Sequence, residues 1–208
     1  SLKNCMELEE KPIDGAETLL EGWAKAAEKF PDNNCLGHIE GDKYVWRTYS
    51  QAINEAKSLA KVLFSEGLTP EAIHEEKPFR MMGLYSRNRP EWALMNWAMA
   101  HFSGTVVTLY NTLGEASLAY AIDHTELSIV SCDKASVGKI LSLLKEGKAK
   151  TVKYVIAFDQ AEEEEVQGFK DLGIELLQYT DLVSKGENLD DKILEEMTKP
   201  TPDTTDVI

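Results

Sequence analysis

The 208 residues carry 36 acidic against 22 basic side chains, a formal charge of −14, which argues against a nucleic-acid-binding surface, since neutralising phosphates needs clustered Lys and Arg. Hydrophobic residues at 43% and charged residues at 28% are those of a globular chain, long enough to bury a sizeable core. Cys5, Cys35 and Cys132 are odd in number and far apart, which argues against a disulfide framework and for an intracellular, reducing compartment.

Residues 1–10 are polar and expected to be loosely held. Within 16–30, Leu19, Leu20, Trp23, Ala27 and Phe30 recur at helical spacing, and Pro31 with the Asp-Asn-Asn that follows stops the helix. Residues 35–39 and 44–49 flank a turn at Gly41 and predict a β-hairpin. Ser50 reads as an N-cap for a helix over 51–66 that buries Ile53, Ala56, Leu59, Ala60, Leu63 and Phe64 and ends at a left-handed Gly67. Residues 69–78 are expected to be a polar loop.

The chain is organised around residues 79–133. Runs at 79–85, 105–110 and 127–131 are short, apolar and rich in β-branched and aromatic side chains, as in strands buried on both faces. Two segments of helical spacing separate them; the first, 90–102, opens with Pro90 at N1, where the missing amide hydrogen costs nothing. Two strand–helix–strand crossovers in succession predict an α/β fold: a doubly wound, mostly parallel sheet with flanking helices, preceded by a helix and a β-hairpin.

Beyond it the pattern predicts a helix at 135–144, a strand at 151–158, an acidic helix at 162–172 with Glu162 to Glu165 on a solvated N-terminal face, and a strand or extended piece at 174–179. A short helix or turn at 181–186 and a weak helix at 189–197 follow. Residues 199–206 read as a linker, and Val207-Ile208 as the start of a strand. The chain divides into 1–78 leading into the domain, 79–198 as the parallel α/β core, and 199–208 as a linker. The most apolar window, 92–110, contains Asn96, His101, Ser103 and Gly104, so a buried helix and strand explain it better than a membrane span. No basic and apolar secretory leader opens the sequence.

Ligands of open parallel sheets bind beyond the carboxyl ends of the strands, near the point where strand order reverses. Here those ends are Ser86 to Arg89, Tyr110 to Thr112 and Asp133-Lys134, and Arg87, Arg89, Lys134 and Lys139 are the basic groups nearby. They are candidates for an anionic ligand; helix capping and surface ion pairs are the alternative use of the same residues. A single glycine in MMGLYSRNRPEW is poor support for a dinucleotide fingerprint, and no GxSxG nucleophile elbow occurs. Cys35 and His38 lack the second pair a zinc site needs. His101 and His124 lie near helix C-termini, where the dipole favours an imidazolium. All four tryptophans are expected in the core.

The segment SRNRPEWALMNWAMAHFSGTVVTLYNTLGEASLAYAIDHTELSIVSCD closely resembles the amino-terminal region of long-chain fatty acyl-CoA synthetases, of the adenylate-forming superfamily. NRPEW is complete at Asn88 to Trp92, and LYNTLG at Leu109 to Gly114 carries Asn111 for the family's usual Asp, with Thr108 in place of a preceding Pro. Ala121-Ile122 and Glu126-Leu127-Ser128 follow in register, and WRTYSQAINEAKSLAKVLFSEGL resembles the superfamily's first signature. The resemblance runs from about residue 15 to 208. It implies part of the large amino-terminal domain of a ligase that uses ATP, Mg2+ and CoA and a fatty acid as substrate. It also implies that the phosphate loop, of the type TSGTTGxPKG, lies just past Ile208. Catalytic residues are then expected in the remainder of the parent chain and none in this one, which alone is expected to be inactive and to bind no cofactor tightly. By the same resemblance Thr112, Lys134 and Lys139 are candidate contacts for the nucleotide end of CoA. No metal ligand is expected, homo-oligomerisation is open, and membrane association would come through segments outside this sequence. The alternative is a non-catalytic α/β interaction module derived from that fold.

Overall fold

The computed structural model describes residues 15–74 and 76–208; the expectation for residues 1–10 lies outside them. Helix α1 (Leu19–Lys29) starts where the Thr18 side chain accepts a hydrogen bond from the Glu21 amide. Strands β1 (Asn34–Glu40) and β2 (Lys43–Thr48) form the expected antiparallel hairpin, with Gly41 at φ +60° in its turn. Helix α2 (Tyr49–Ser65) starts earlier than Ser50 predicts. Thr48 is the N-cap: its hydroxyl accepts from the Gln51 amide at 3.3 Å, while Gln51 Oε1 accepts from the Thr48 amide at 2.8 Å. This reciprocal capping box satisfies two orphan amides at once, which a lone Ser50 does not. The helix ends, as expected, ahead of a left-handed Gly67.

Residues 69–78 are not all loop. Strand β3 (Glu71–His74) pairs antiparallel with the first residues of β4 (Lys77–Tyr85), in the register Glu71 to Arg80 and His74 to Lys77. From there the chain alternates: α3 (Pro90–Ala100), β5 (Thr105–Thr108), α4 (Glu115–His124), β6 (Ile129–Cys132), α5 (Lys134–Lys145), β7 (Tyr154–Ala157), α6 (Glu163–Asp171), β8 (Glu175–Gln178), α7 (Tyr179–Glu187) and the single turn α8 (Ile193–Glu196). Strands β4 to β8 are parallel and lie in the order β5-β4-β6-β7-β8. The parallel part thus starts at β4, steps one way to β5, then returns past β4 to build the other side. The switch point is between β4 and β6.

Alternation along each strand sends side chains to two separate cores. Met82, Leu84, Val106, Ile129 and Ile156 face α2, α3 and α7, whereas Tyr85, Val107, Val130, Cys132 and Val155 face α4, α5 and α6. Both faces being covered explains why the strands read as continuous apolar runs. Outside β5, Ile208 N–H donates to Val106 O at 2.8 Å and Thr108 N–H to Ile208 O at 3.0 Å, so Val207 and Ile208 extend the sheet in parallel, as the sequence suggests.

Three further expectations change. Trp46 is 47% exposed and stacks on Tyr44 in the hairpin rather than entering the core, because the two-stranded ribbon has no layer over that face. Burial, and after it the nearby Lys57, push the His101 pKa down to about 4, against the cationic form that the helix dipole favours. Glu162 is not simply solvated: it is the N-cap of α6 in a capping box with Glu165 and pairs with Lys134.

Candidate functional site

The amino ends of α3, α4 and α5 all stand at the carboxyl edge of the sheet, and none has a side-chain hydrogen bond from its N-cap residue. At α3 and α4 this leaves partly positive amides facing that edge, whereas the first amide of α5 is taken by Asp159. Two arrangements share the edge.

The first is a cleft of about 620 Å³ between the ends of β4 and β5 and the first turn of α3. Leu84 and Trp92 form its apolar side; Ser86, Arg87, Asn88 and Asn111 its polar side; Tyr110 stands 68% exposed at its mouth. At the neighbouring switch point Asp133 is buried, and its Oδ2 accepts from the Arg87 amide at 3.2 Å and reaches Ser86 Oγ at 3.5 Å. That carboxylate would otherwise cap α5. Its Oδ1, and the hydroxyl of Tyr85, have no partner among the described residues.

The second is an ion-pair network under the NRPEW segment. Arg89 grips Asp159 with two hydrogen bonds, 2.7 and 3.1 Å, and donates through Nε to Glu91 at 2.7 Å. Its guanidinium lies 5.3 Å from the centroid of Phe158. The other oxygen of Glu91 accepts from Arg47 at 3.0 Å; Arg47 also reaches Glu55 at 3.0 Å, and the Tyr179 hydroxyl donates to Glu55 at 2.8 Å. Asp159 further accepts from the Lys134 amide at 2.9 Å, the first amide of α5. One connected set thus ties β2, α2, α3, β7, α5 and α7 at the carboxyl edge.

The electrostatics follow from the partners. Burial opposes the Arg89 charge and is outweighed by hydrogen bonding to Asp159 and Glu91, so the guanidinium is held protonated more firmly than usual. The Arg89 hydrogen bond is the main cause that lowers the Asp159 pKa. Burial raises that of Glu91, and the Arg89 and backbone hydrogen bonds overcome it to leave Glu91 low as well. Burial, then Glu55, raise the Tyr179 phenol, which stays a donor.

Of the basic groups singled out in the sequence, Arg89 is engaged in this network, and Lys134 pairs with Glu162 at 2.5 Å. Arg87 is 74% exposed and only approaches Asp133, at 3.8 Å. Thr112 and Lys139 are exposed. Lys134 and Lys139 are five residues apart on α5, about 140° around the helix. Thr112 follows β5, two strand spacings from β6, or about 10 Å across the sheet. The structure therefore sets these three along one edge without joining them in one cluster. Asp133 is among the strand-end residues named from the sequence; Arg47, Glu55, Asp159 and Tyr179 are not, and the one signal for them is that Asp159 directly follows the strand expected at 151–158. Among the described residues no group of three or more His, Cys, Asp or Glu is placed to hold a metal ion, and His38 turns to Glu40 at 2.9 Å. No glycine-rich loop of the kind that cradles nucleotide phosphates follows a strand in the sequence.

Similar proteins place this geometry. The chain is 29% identical over 201 residues to fatty acyl-CoA synthetase B of Dictyostelium discoideum, covering 94% of this chain and 28% of that protein. It is 28% identical over 165 residues to long-chain-fatty-acid–CoA ligase 1 of Homo sapiens, covering 78% of this chain and 23% of that one. The chain thus spans about a quarter of the length of these curated relatives. The A domain of carboxylic acid reductase from Segniliparus rugosus, solved with AMP and a co-purified carboxylic acid, superposes with a TM-score of 0.67 at 12% identity over 86% of this chain and 31% of that one, a likeness of fold. The sequence profile of the family described as AMP-binding enzyme matches residues 23–206, nearly the whole chain. The chain belongs to the AMP-binding enzyme family.

Proposed function

We propose that this chain is the amino-terminal portion of a long-chain fatty acid–CoA ligase. The observation that carries this reading is the similarity to fatty acyl-CoA synthetases along 94% of the chain, with NRPEW and LYNTLG at the carboxyl edge of the sheet. In the parent reaction the fatty carboxylate attacks the α-phosphate of ATP, giving acyl-adenylate and pyrophosphate. The CoA thiol then displaces AMP to form the thioester, losing its proton. Mg2+ and the phosphate loop are supplied by the rest of the parent chain, into which residues 199–208 lead. The part in hand positions rather than reacts: the Arg89 network fixes the helix N-termini at the sheet edge, and the rest of the protein docks beside the Val207-Ile208 strand. It is inactive alone. Acyl-CoA formation by the full-length protein tests the reading: palmitate should be a substrate and acetate a poor one, and no thioester from any long-chain acid would overturn it.

Thr112, Lys134 and Lys139 contact the nucleotide end of CoA in this reading. The Lys134–Glu162 pair is exposed on both sides, so it is weak enough to yield to a phosphate. Reversing charge with Lys134→Glu and Lys139→Glu should raise the KM for CoA about tenfold, the worth of a lost hydrogen bond to a charged group, with the KM for ATP unchanged. An unchanged KM for CoA removes these contacts.

Uncovered apolar groups suit a part of a larger body. Tyr110, Tyr120 and Val207 are large, exposed and apolar. By sedimentation the isolated chain should therefore self-associate at micromolar concentration; a monodisperse monomer that unfolds cooperatively contradicts this.

A further inference from the structure

A second concavity lies at the other end of the fold. Helix α3 begins at the carboxyl edge of the sheet and runs back along it for 11 residues, about 16 Å, so its far end lies toward the amino ends of the strands. There α1, α2, α3 and the α8 segment enclose a groove of about 580 Å³, well within the range of small-molecule sites, which run from about 300 to 1,000 Å³. Its walls are apolar: Leu20, Trp23, Ala27, Ile53, Trp97 and Leu194, with the Trp23 and Trp97 rings 3.9 Å apart.

Two of its lining groups do not belong in an apolar groove. Lys57 is half-buried on α2 and His101 half-buried just past α3, and neither side chain makes a hydrogen bond or ion pair among the described residues. Asp191, an acid on which Lys57 acts electrostatically, is already taken by Lys61 at 2.7 Å. The other charged lining groups, Glu21, Glu28, Glu195 and Lys199, are exposed and solvated at the rim. The Lys57 ammonium stands beside an apolar wall without a carboxylate of its own, so an anionic group can pair with it without displacing an existing partner. The imidazole next to it is neutral near pH 7 and can donate a second hydrogen bond.

We propose that this groove binds a long-chain carboxylate, the head group on Lys57 and His101 and the aliphatic chain along Trp23, Trp97 and Ile53. The inference goes beyond the ligase reading, because this site is remote from the sheet edge and its choice of ligand comes from its own lining. It implies a resident amphiphile that takes no part in the chemistry.

The test uses the full-length protein and a 16-carbon fatty acid bearing a diazirine on its chain, with labelled peptides mapped by mass spectrometry. Labels should fall on residues 19–29 and 49–65, be competed by palmitate, and not by hexadecanol. Lys57→Met should raise the half-saturating concentration for these labels about tenfold, without changing thioester formation at saturating substrate. Ala24→Trp, an exposed position lining the groove, should abolish them with all charges intact. No label on these helices, as when another segment of the same polypeptide fills the groove, overturns the proposal. So do equal competition by hexadecanol and labelling that survives both substitutions. Labelling without any thioester formation would sink the ligase reading and leave this one standing.

Discussion

Arg89→Met should lower stability by about 3 kcal/mol, a drop in Tm of roughly 6–12 °C for a domain of this size. The loss is large because one guanidinium serves two carboxylates from different elements, Asp159 after β7 and Glu91 in α3. Methionine keeps the packing over Phe158 and removes the charge, leaving the two acids facing each other and, through Glu91, the Arg47–Glu55 pair. The pH dependence gives an independent check. Asp159 and Glu91 both have folded pKa values below the usual range, so they stabilise the fold above about pH 4 and lose that contribution as pH falls through their folded values. Acid should therefore destabilise the wild type more steeply than Arg89→Met between about pH 4 and 2. Parallel acid curves measured by circular dichroism would show that the network does not carry this stability.

Gly186→Ala should cost about 3 kcal/mol or more, although one methyl is usually neutral or favourable in a helix. Helix α7 crosses α2 so closely that a Cβ at Gly186 would sit 2.0 Å from the Ser58 carbonyl oxygen and 2.5 Å from its carbonyl carbon. Backbone cannot rotate aside as a side chain can, so the two helices must separate. That separation would pull Tyr179 from Glu55 and loosen the Arg89 network from the α7 side. Alanine at Gly138, inside α5 where a Cβ would meet only Glu165 Oε1 at 3.9 Å, is the control and should not lower Tm. A Gly186→Ala protein as stable as the wild type would mean that α2 and α7 are not so close.

The parts of this fold that were legible in the sequence are those governed by local pattern. Strands β4 to β7 appear as apolar runs because both sheet faces are buried there, and Pro90 marks the start of α3 through its own backbone chemistry. Strand β3 was hidden because its four residues include only Ala72 and Ile73 as apolar ones and it pairs at the sheet's margin, with Ile73 64% exposed. The site was less legible than the fold. Arg89 pairs with a carboxylate 70 residues away and Arg47 with one 44 residues away, distances at which no helical or strand period operates. NRPEW drew attention to Arg89 and Glu91, but their partners were set by where the strands end. Trp46 failed for the opposite reason: its strand pattern was correct, and no layer covers it.

The most direct measurement of the central claim is palmitate-dependent exchange of labelled pyrophosphate into ATP, run side by side on the 208-residue chain and on the full-length protein that contains it. Exchange by the full-length protein, with none by the chain alone, is the predicted result. Exchange by the isolated chain would contradict the placement of the phosphate loop and catalytic groups outside it. Absence of exchange from both, with every long-chain acid tried, would contradict the acyl-activating function itself.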